Sequence, residues 1–112
     1  MDLATASSVL RLLADPTRVR LLALLEHEEL TVAELAAVLH LAQPRVSTHL
    51  AKLKEAGLVR DRRAGVSAYY RANNEGDEAQ YGLLASLRAS IDDALLREDS
   101  ARLPGVLANR AR

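Results

Sequence analysis

Two helix starts and one helix stop fall between Thr31 and Gly57, and they leave this stretch little freedom. Thr31-Val-Ala-Glu34 is a capping box, in which the Thr hydroxyl and the Glu carboxylate each satisfy a backbone N–H at the start of a helix. It opens a short helix through Leu39. His40-Leu41-Ala42 is too short for anything but a turn. Gln43-Pro44 opens the next helix with proline in its first turn, where the missing N–H costs nothing. Gly57 closes that helix as a C-terminal cap. Two short helices joined by about three residues make a helix-turn-helix. On the second, Val46, Leu50 and Leu53 recur at i, i+4 and i+7 and define a buried stripe. Arg45, Ser47, Thr48 and Lys52 fall on or beside the opposite face, and His49 lies at the boundary.

The flanks extend the pattern. Leu3 to Leu13 reads as a helix, and Asp15-Pro16 caps and starts another that runs from Thr17 to Glu26. After Gly57 the period shortens to two. Leu58–Arg63 and Ser67–Arg71 read as strands joined by Ala64-Gly65-Val66, with Gly65 supplying the permissive backbone of a hairpin turn. Tyr69 and Tyr70 alternate on the second strand, so one packs inward and the other faces outward. Ala79 to about Arg97 reads as one long helix with Leu83, Leu84, Leu87, Ile91 and Leu95 on its apolar side, and Pro104-Gly105 interrupts the tail behind it. The expected fold is mainly α with a small β-hairpin, a winged helix-turn-helix of order α-α-α-α-β-β-α. Residues 1–112 form a single domain, with the helix-turn-helix at about 31–57, the wing at about 58–72 and a dimerisation helix at about 79–97.

Charge sorts by position. The chain of 112 residues has a formal net charge of zero, which by itself argues against a nucleic-acid partner. Yet residues 1–40 carry −3, residues 41–71 carry +5 and residues 72–112 carry −2. The positive block begins with the helix from Gln43. The chain has no Cys, so thiolate metal and redox chemistry are excluded. It has no basic leader and no apolar run of membrane-spanning length, so no membrane partner is expected and the expected location is cytoplasmic. No nucleophile–base pair, paired carboxylates or phosphate loop points to an enzyme, and no cofactor is expected.

A helix that presents polar side chains in its first turns fits the DNA major groove. Gln43 has the donors and acceptors to pair with adenine, and Arg45 those to pair with guanine. Ser47 and Thr48 reach bases or phosphates. Lys52 and Lys54 suit phosphates, as do Arg60, Arg62 and Arg63 on the hairpin. His49, beside the apolar stripe, suits either a phosphate or a structural hydrogen bond. The expected DNA-binding set is Gln43, Arg45, Ser47, Thr48, His49, Lys52, Arg60, Arg62 and Arg63. The competing reading is a winged-helix protein-interaction module without sequence-specific DNA binding, for which the acidic flanks leave room.

The stretches ADPTRVRLLALL, ELTVAELA, QPRVSTHLAKLKEAGLV and RRAGVSAYYR resemble the ArsR/SmtB family of small bacterial repressors. Gln43, Val46, Ser47, His49, Leu50, Leu53, Ala56, Gly57, Leu58 and Val59 meet the family's helix pattern, and Arg63, Gly65 and Tyr70 its wing pattern. The resemblance covers roughly residues 6 to 98. It implies a homodimer joined through the first and last helices, which binds an inverted repeat in double-stranded DNA and is released by an effector. The effector, a small molecule among the candidates, is not named by the sequence.

Two departures bear on that effector. Where soft-metal sensors of the family place Cys, this chain has Thr31, Ala33 and Ala36, none of which binds a soft metal. Where zinc or nickel sensors use Asp and His on the last helix, this chain has Asp92, Asp93, Glu98 and Asp99 without His, a set read as a solvated helix face. No metal site is expected. A weaker resemblance links YGLLASLRASIDDALLREDSARL to the region that joins an ArsR-type domain to a C-terminal methyltransferase in fusion proteins.

Overall fold

Six helices and one hairpin follow the order α1 (Leu3–Leu13), α2 (Pro16–Leu25), α3 (Val32–Leu39), α4 (Gln43–Glu55), β1 (Val59–Ala64), β2 (Ser67–Ala72), α5 (Glu78–Ser90) and α6 (Ala94–Ala108), with a 3-10 turn at Asn109–Ala111. The computed structural model describes residues 1–111. Helix starts are written in side chains. Asp2 accepts from the Thr5 amide (2.7 Å) and Asp15 from the Thr17 amide (2.8 Å). Thr31 and Glu34 close both arms of the capping box (3.1 and 2.9 Å). Asp77 and Asp93 cap α5 and α6. Of the six helices, α4 alone has no side-chain cap; its cap residue is Ala42.

The stop behind α4 is a Schellman motif. The Leu58 amide donates to the Leu53 carbonyl and the Gly57 amide to the Lys54 carbonyl, both at 2.9 Å. Gly57 takes the left-handed backbone that this requires (φ 78°). His40 makes the same turn behind α3 at φ 56°, without glycine's freedom.

β1 and β2 pair antiparallel from Val59↔Ala72 to Ala64↔Ser67, leaving Gly65-Val66 as a two-residue turn. Gly65 at φ 64° suits the first position of such a turn. Leu30, ahead of α3, adds one backbone bridge to the outer edge of β2 at Tyr70. The core is aliphatic. Leu21 and Leu24 of α2, Leu35 and Val38 of α3, and Val46, Leu50 and Leu53 of α4 meet Leu30, Leu58 and Val59 at the root of the hairpin. This packing fixes α4 against α2 and α3 and leaves its other face to solvent.

The C-terminal third departs from the sequence expectation. The single helix from Ala79 to Arg97 is two helices, broken at Ile91, which is extended (ψ 126°). Asp93 accepts from the Leu95 amide (2.8 Å) and starts α6. The apolar spacing of Leu87, Ile91 and Leu95 continues across the break, so periodicity alone hid it. Nor does Pro104-Gly105 interrupt the tail, since α6 runs through it to Ala108. The carbonyl that Pro104 leaves without its helical donor belongs to Ser100, an exposed residue, while Leu103, Val106 and Leu107 pack on the core.

α6 lies back across α2 and α3. Asp99, expected on a solvated face, is 1 % exposed. It takes both Arg20 Nε and Nη2 at 2.9 Å and Arg102 Nη2 at 2.8 Å. The same guanidiniums donate onward to the Leu39 and Val38 carbonyls at the end of α3. Burial of Asp99 is therefore compensated on every side.

Candidate nucleic-acid interface

α4 owes its position to its apolar stripe and its availability to what lies opposite. Gln43, Arg45, Ser47, Thr48 and Lys52 are all exposed. The α4 N-terminus lacks a side-chain cap; Pro44 has no N–H and the Arg45 amide turns back to the Ala42 carbonyl (3.1 Å), so the Gln43 amide is the donor its first turn leaves for an anion. Thr48 turns its hydroxyl back on the Pro44 carbonyl (2.9 Å), which leaves its oxygen able to accept. Arg45 Nη2 makes only a long contact with Thr17 Oγ1 (3.4 Å), which restrains it little.

His49 is half-buried and belongs to the frame. Arg18 Nε donates to His49 Nδ1 (3.1 Å), and Arg18 Nη1 donates to the Leu12 carbonyl (3.0 Å). One guanidinium thus ties the end of α1 and the start of α2 to the middle of α4. Burial lowers the His49 pKa from its ordinary 6.5; nearby Arg18, Arg45 and Lys52 push it the same way, against Asp15. The neutral ring with Nδ1 as acceptor is the form this geometry holds.

The hairpin has two faces. Alternation and register place Val59, Asp61, Arg63, Tyr70 and Ala72 on one, and Arg60, Arg62, Tyr69 and Arg71 on the other. The first face turns to α4. Tyr70 and Ala72 pack on the core, and Asp61 pairs with Lys54 of α4 (2.9 Å). That bond holds the Lys54 pKa above its ordinary value. Arg63 extends this face outward and is exposed. On the second face Arg60 pairs with Glu75 (2.6 Å) and Arg62 with both oxygens of Glu29 (2.9 and 3.1 Å). The Arg62 bond holds the Glu29 carboxyl below the usual range. The two tyrosines divide accordingly: Tyr70 inward, Tyr69 outward beneath Arg62, whose guanidinium carbon lies 5.0 Å from the ring centroid.

Of the residues expected from sequence, Gln43, Arg45, Ser47, Thr48 and Lys52 therefore share one surface. Arg63 stands on the hairpin face that turns to that helix. Arg60 and Arg62 stand on the opposite face, each already matched by a carboxylate from outside the basic block. His49 is half-buried at the edge of that surface, held by Arg18. Arg18, Thr17, Glu29 and Glu75 were not singled out by sequence. No local signal marks them, because each works across a gap in sequence that only the fold closes. Among the described residues, no three His, Asp or Glu side chains gather as a set that could hold a metal ion. No described helix is long and apolar enough to cross a membrane.

A helix-turn-helix followed by a two-stranded wing, with cations concentrated on the second helix and the hairpin, defines a winged helix-turn-helix protein. The family described as bacterial regulatory protein, arsR family, matches residues 15–61. The arsenical resistance operon repressor of Escherichia coli is 34 % identical over 103 residues, 91 % of this chain and 81 % of that protein. The chain belongs to the arsR family of regulatory proteins. An arsenic resistance transcriptional regulator of Pseudomonas putida is 47 % identical over 75 residues, 66 % of this chain and 59 % of its own length. Among solved structures, a domain from Mycobacterium bovis described as homodimeric, winged helix-turn-helix and DNA-binding superposes with a TM-score of 0.67 at 31 % identity, covering 78 % of each chain. These relatives are named as regulators and repressors, not enzymes. The chain spans 52 to 63 % of the length of three of the curated relatives it matches.

Proposed function

We propose that this chain is a DNA-binding transcriptional repressor that acts as a homodimer on an inverted repeat and is released by an effector. The observation that carries this reading is the exposed face of an uncapped α4, where Gln43, Arg45, Ser47, Thr48 and Lys52 stand over a fully buried Val46, Leu50 and Leu53. Gln43 and Arg45 read base edges. Ser47, Thr48 and the helix N-terminus hold phosphates or bases, and Lys52 holds a phosphate. Arg63 on the α4-facing side of the wing reaches the neighbouring backbone. Arg60 and Arg62 join only after leaving their carboxylates. His49 supports α4 through Arg18 and touches phosphate at most from its edge.

The dimer seam in this reading is formed by α1 and α5. α5 buries none of its residues within the single chain, and Tyr81 and Leu87 on it are 40 % and 37 % exposed. Leu3 and Leu10 on α1 are 83 % and 55 % exposed. α5 is the larger part of the stretch 79–97 expected from sequence to join two chains, whereas α6 is folded onto its own α2 and α3. The effector is not a soft metal held by thiolates, since the chain has no Cys.

The test is selection of preferred duplexes from a random pool, followed by fluorescence anisotropy against a scrambled duplex across a salt series. The expected result is a preferred two-fold symmetric sequence, with affinity that falls by roughly 0.9 log units per log unit of salt for each phosphate neutralised. Arg45→Ala is expected to cost about 1–3 kcal/mol and to relax one position of the preferred sequence, whereas Lys52→Ala weakens all duplexes alike. Failure to enrich any sequence, with no salt-sensitive binding, would overturn the reading in favour of a protein-interaction module.

A further inference from the structure

The basic block and its acidic flanks are not merely averaged to zero charge; they are docked on one another at the wing. Glu29 does not reach Arg62 by chance of a loose loop. The next residue, Leu30, exchanges two backbone hydrogen bonds with Tyr70 (3.0 and 2.9 Å), which anchors Glu29 at the edge of β2. The carboxylate then takes the Nε–Nη2 edge of Arg62, while the Tyr69 ring takes the face of the same guanidinium. Arg110 also lies against the Tyr69 ring, 5.3 Å from its centroid, donates to the Glu29 carbonyl and pairs with Glu34. A phosphodiester is recognised by the same bidentate edge of a guanidinium. Arg62 cannot offer that edge to Glu29 and to DNA at once.

We infer that Glu29 is an internal stand-in for a DNA phosphate, a carboxylate that occupies Arg62 in the free protein and is displaced when the wing meets the duplex backbone. The inference rests on the DNA-binding reading and adds to it a residue outside the basic block that sets affinity without touching DNA. The exchange is cheap in the direction of binding, because Arg62 and Glu29 are 57 % and 31 % exposed in their side chains and such pairs are weak. It is also graded. Arg62 remains poised on Tyr69 in either state, and only its ionic partner changes.

The experiment measures duplex affinity across a salt series for the full chain and for Glu29→Gln, Arg62→Ala, the double variant and Glu28→Gln. Glu28→Gln changes net charge by the same amount at the neighbouring position, where the carboxylate stands near Arg110 (3.9 Å) and makes no hydrogen bond to Arg62. Glu29→Gln is expected to tighten binding about two- to fivefold, the effect of removing one surface ion pair. It is also expected to steepen the salt dependence by up to about 0.9, the contribution of one phosphate contact. Neither change is expected in the Arg62→Ala background or from Glu28→Gln. Unchanged affinity in Glu29→Gln, or an equal gain without Arg62 or from Glu28→Gln, overturns the inference while leaving DNA binding intact. Absence of any salt-sensitive duplex binding by the unaltered chain overturns the DNA-binding reading, and this inference with it.

Discussion

His49 accepts a hydrogen bond from Arg18 and is crowded by Arg45 and Lys52, so its protonation has a calculable sign. Its folded pKa lies below its ordinary 6.5. As pH falls, the unfolded chain takes up the proton first. The stability this neutral histidine contributes is therefore complete above about 6.5 and is lost as pH falls through the folded value. The urea midpoint is expected to drop between about pH 7.5 and about pH 5.5, and to drop less in His49→Gln. Asp2, Glu29 and Glu34 have lowered pKa values and titrate below this window, so they do not mask the effect. An equal drop in both proteins would show that His49 does not report through Arg18. The residue also marks a limit of sequence reading. Its place at the edge of the apolar stripe was visible at i+3 from Val46, but its partner lies 31 positions away in the chain and no spacing rule reaches that far.

At the scale of elements, legibility followed the local signals. α1 fills its expected span Leu3–Leu13, and α2 to α4 and the hairpin end within a residue or two of where Asp15-Pro16, Thr31–Glu34, Gln43-Pro44, Gly57 and Gly65 place them, because caps and turns act over a few neighbouring residues. The break between α5 and α6 had such a signal in Asp93, but the continuing apolar period outweighed it. Asp99 had none. An isolated carboxylate in a polar helix stretch reads as solvated, and only the return of α6 across α2 brings Arg20 to it. The contrast between Asp99 and Asp92, both on this segment, tests that account. Asp92 is 90 % exposed in its side chain and pairs only with Arg97. Asp99→Asn leaves two guanidiniums facing a neutral amide in a buried site and is expected to cost about 3–5 kcal/mol. Asp92→Asn is expected to cost at most about 1 kcal/mol. Urea unfolding of both variants decides, and equal midpoints would mean that α6 is not held by its ion triad.

At the scale of the molecule, the apolar surface left over by one chain predicts how two come together. Leu3 and Leu10 point outward from α1, and α5 keeps Tyr81 and Leu87 in solvent while Arg88 at its far end is fastened to Glu26, the cap residue behind α2. α5 is thus tethered by charge to its own chain and keeps unpartnered apolar side chains. Leu10→Glu adds a charge to that surface without entering the core, since Leu10 is already 55 % exposed and the buried residues of α1 are Val9 and Leu13. In the α1–α5 seam, that charge would be desolvated against apolar neighbours. Sedimentation equilibrium is expected to show a two-chain mass for the unaltered protein and a one-chain mass for Leu10→Glu, with the same helical circular dichroism. Duplex affinity is expected to fall by about a hundredfold or more, because binding of one half-site no longer holds the second recognition helix beside the other. A variant that stays dimeric with full affinity would move the seam away from α1. One that is monomeric yet binds as tightly would mean that a single α4 and its wing suffice for recognition.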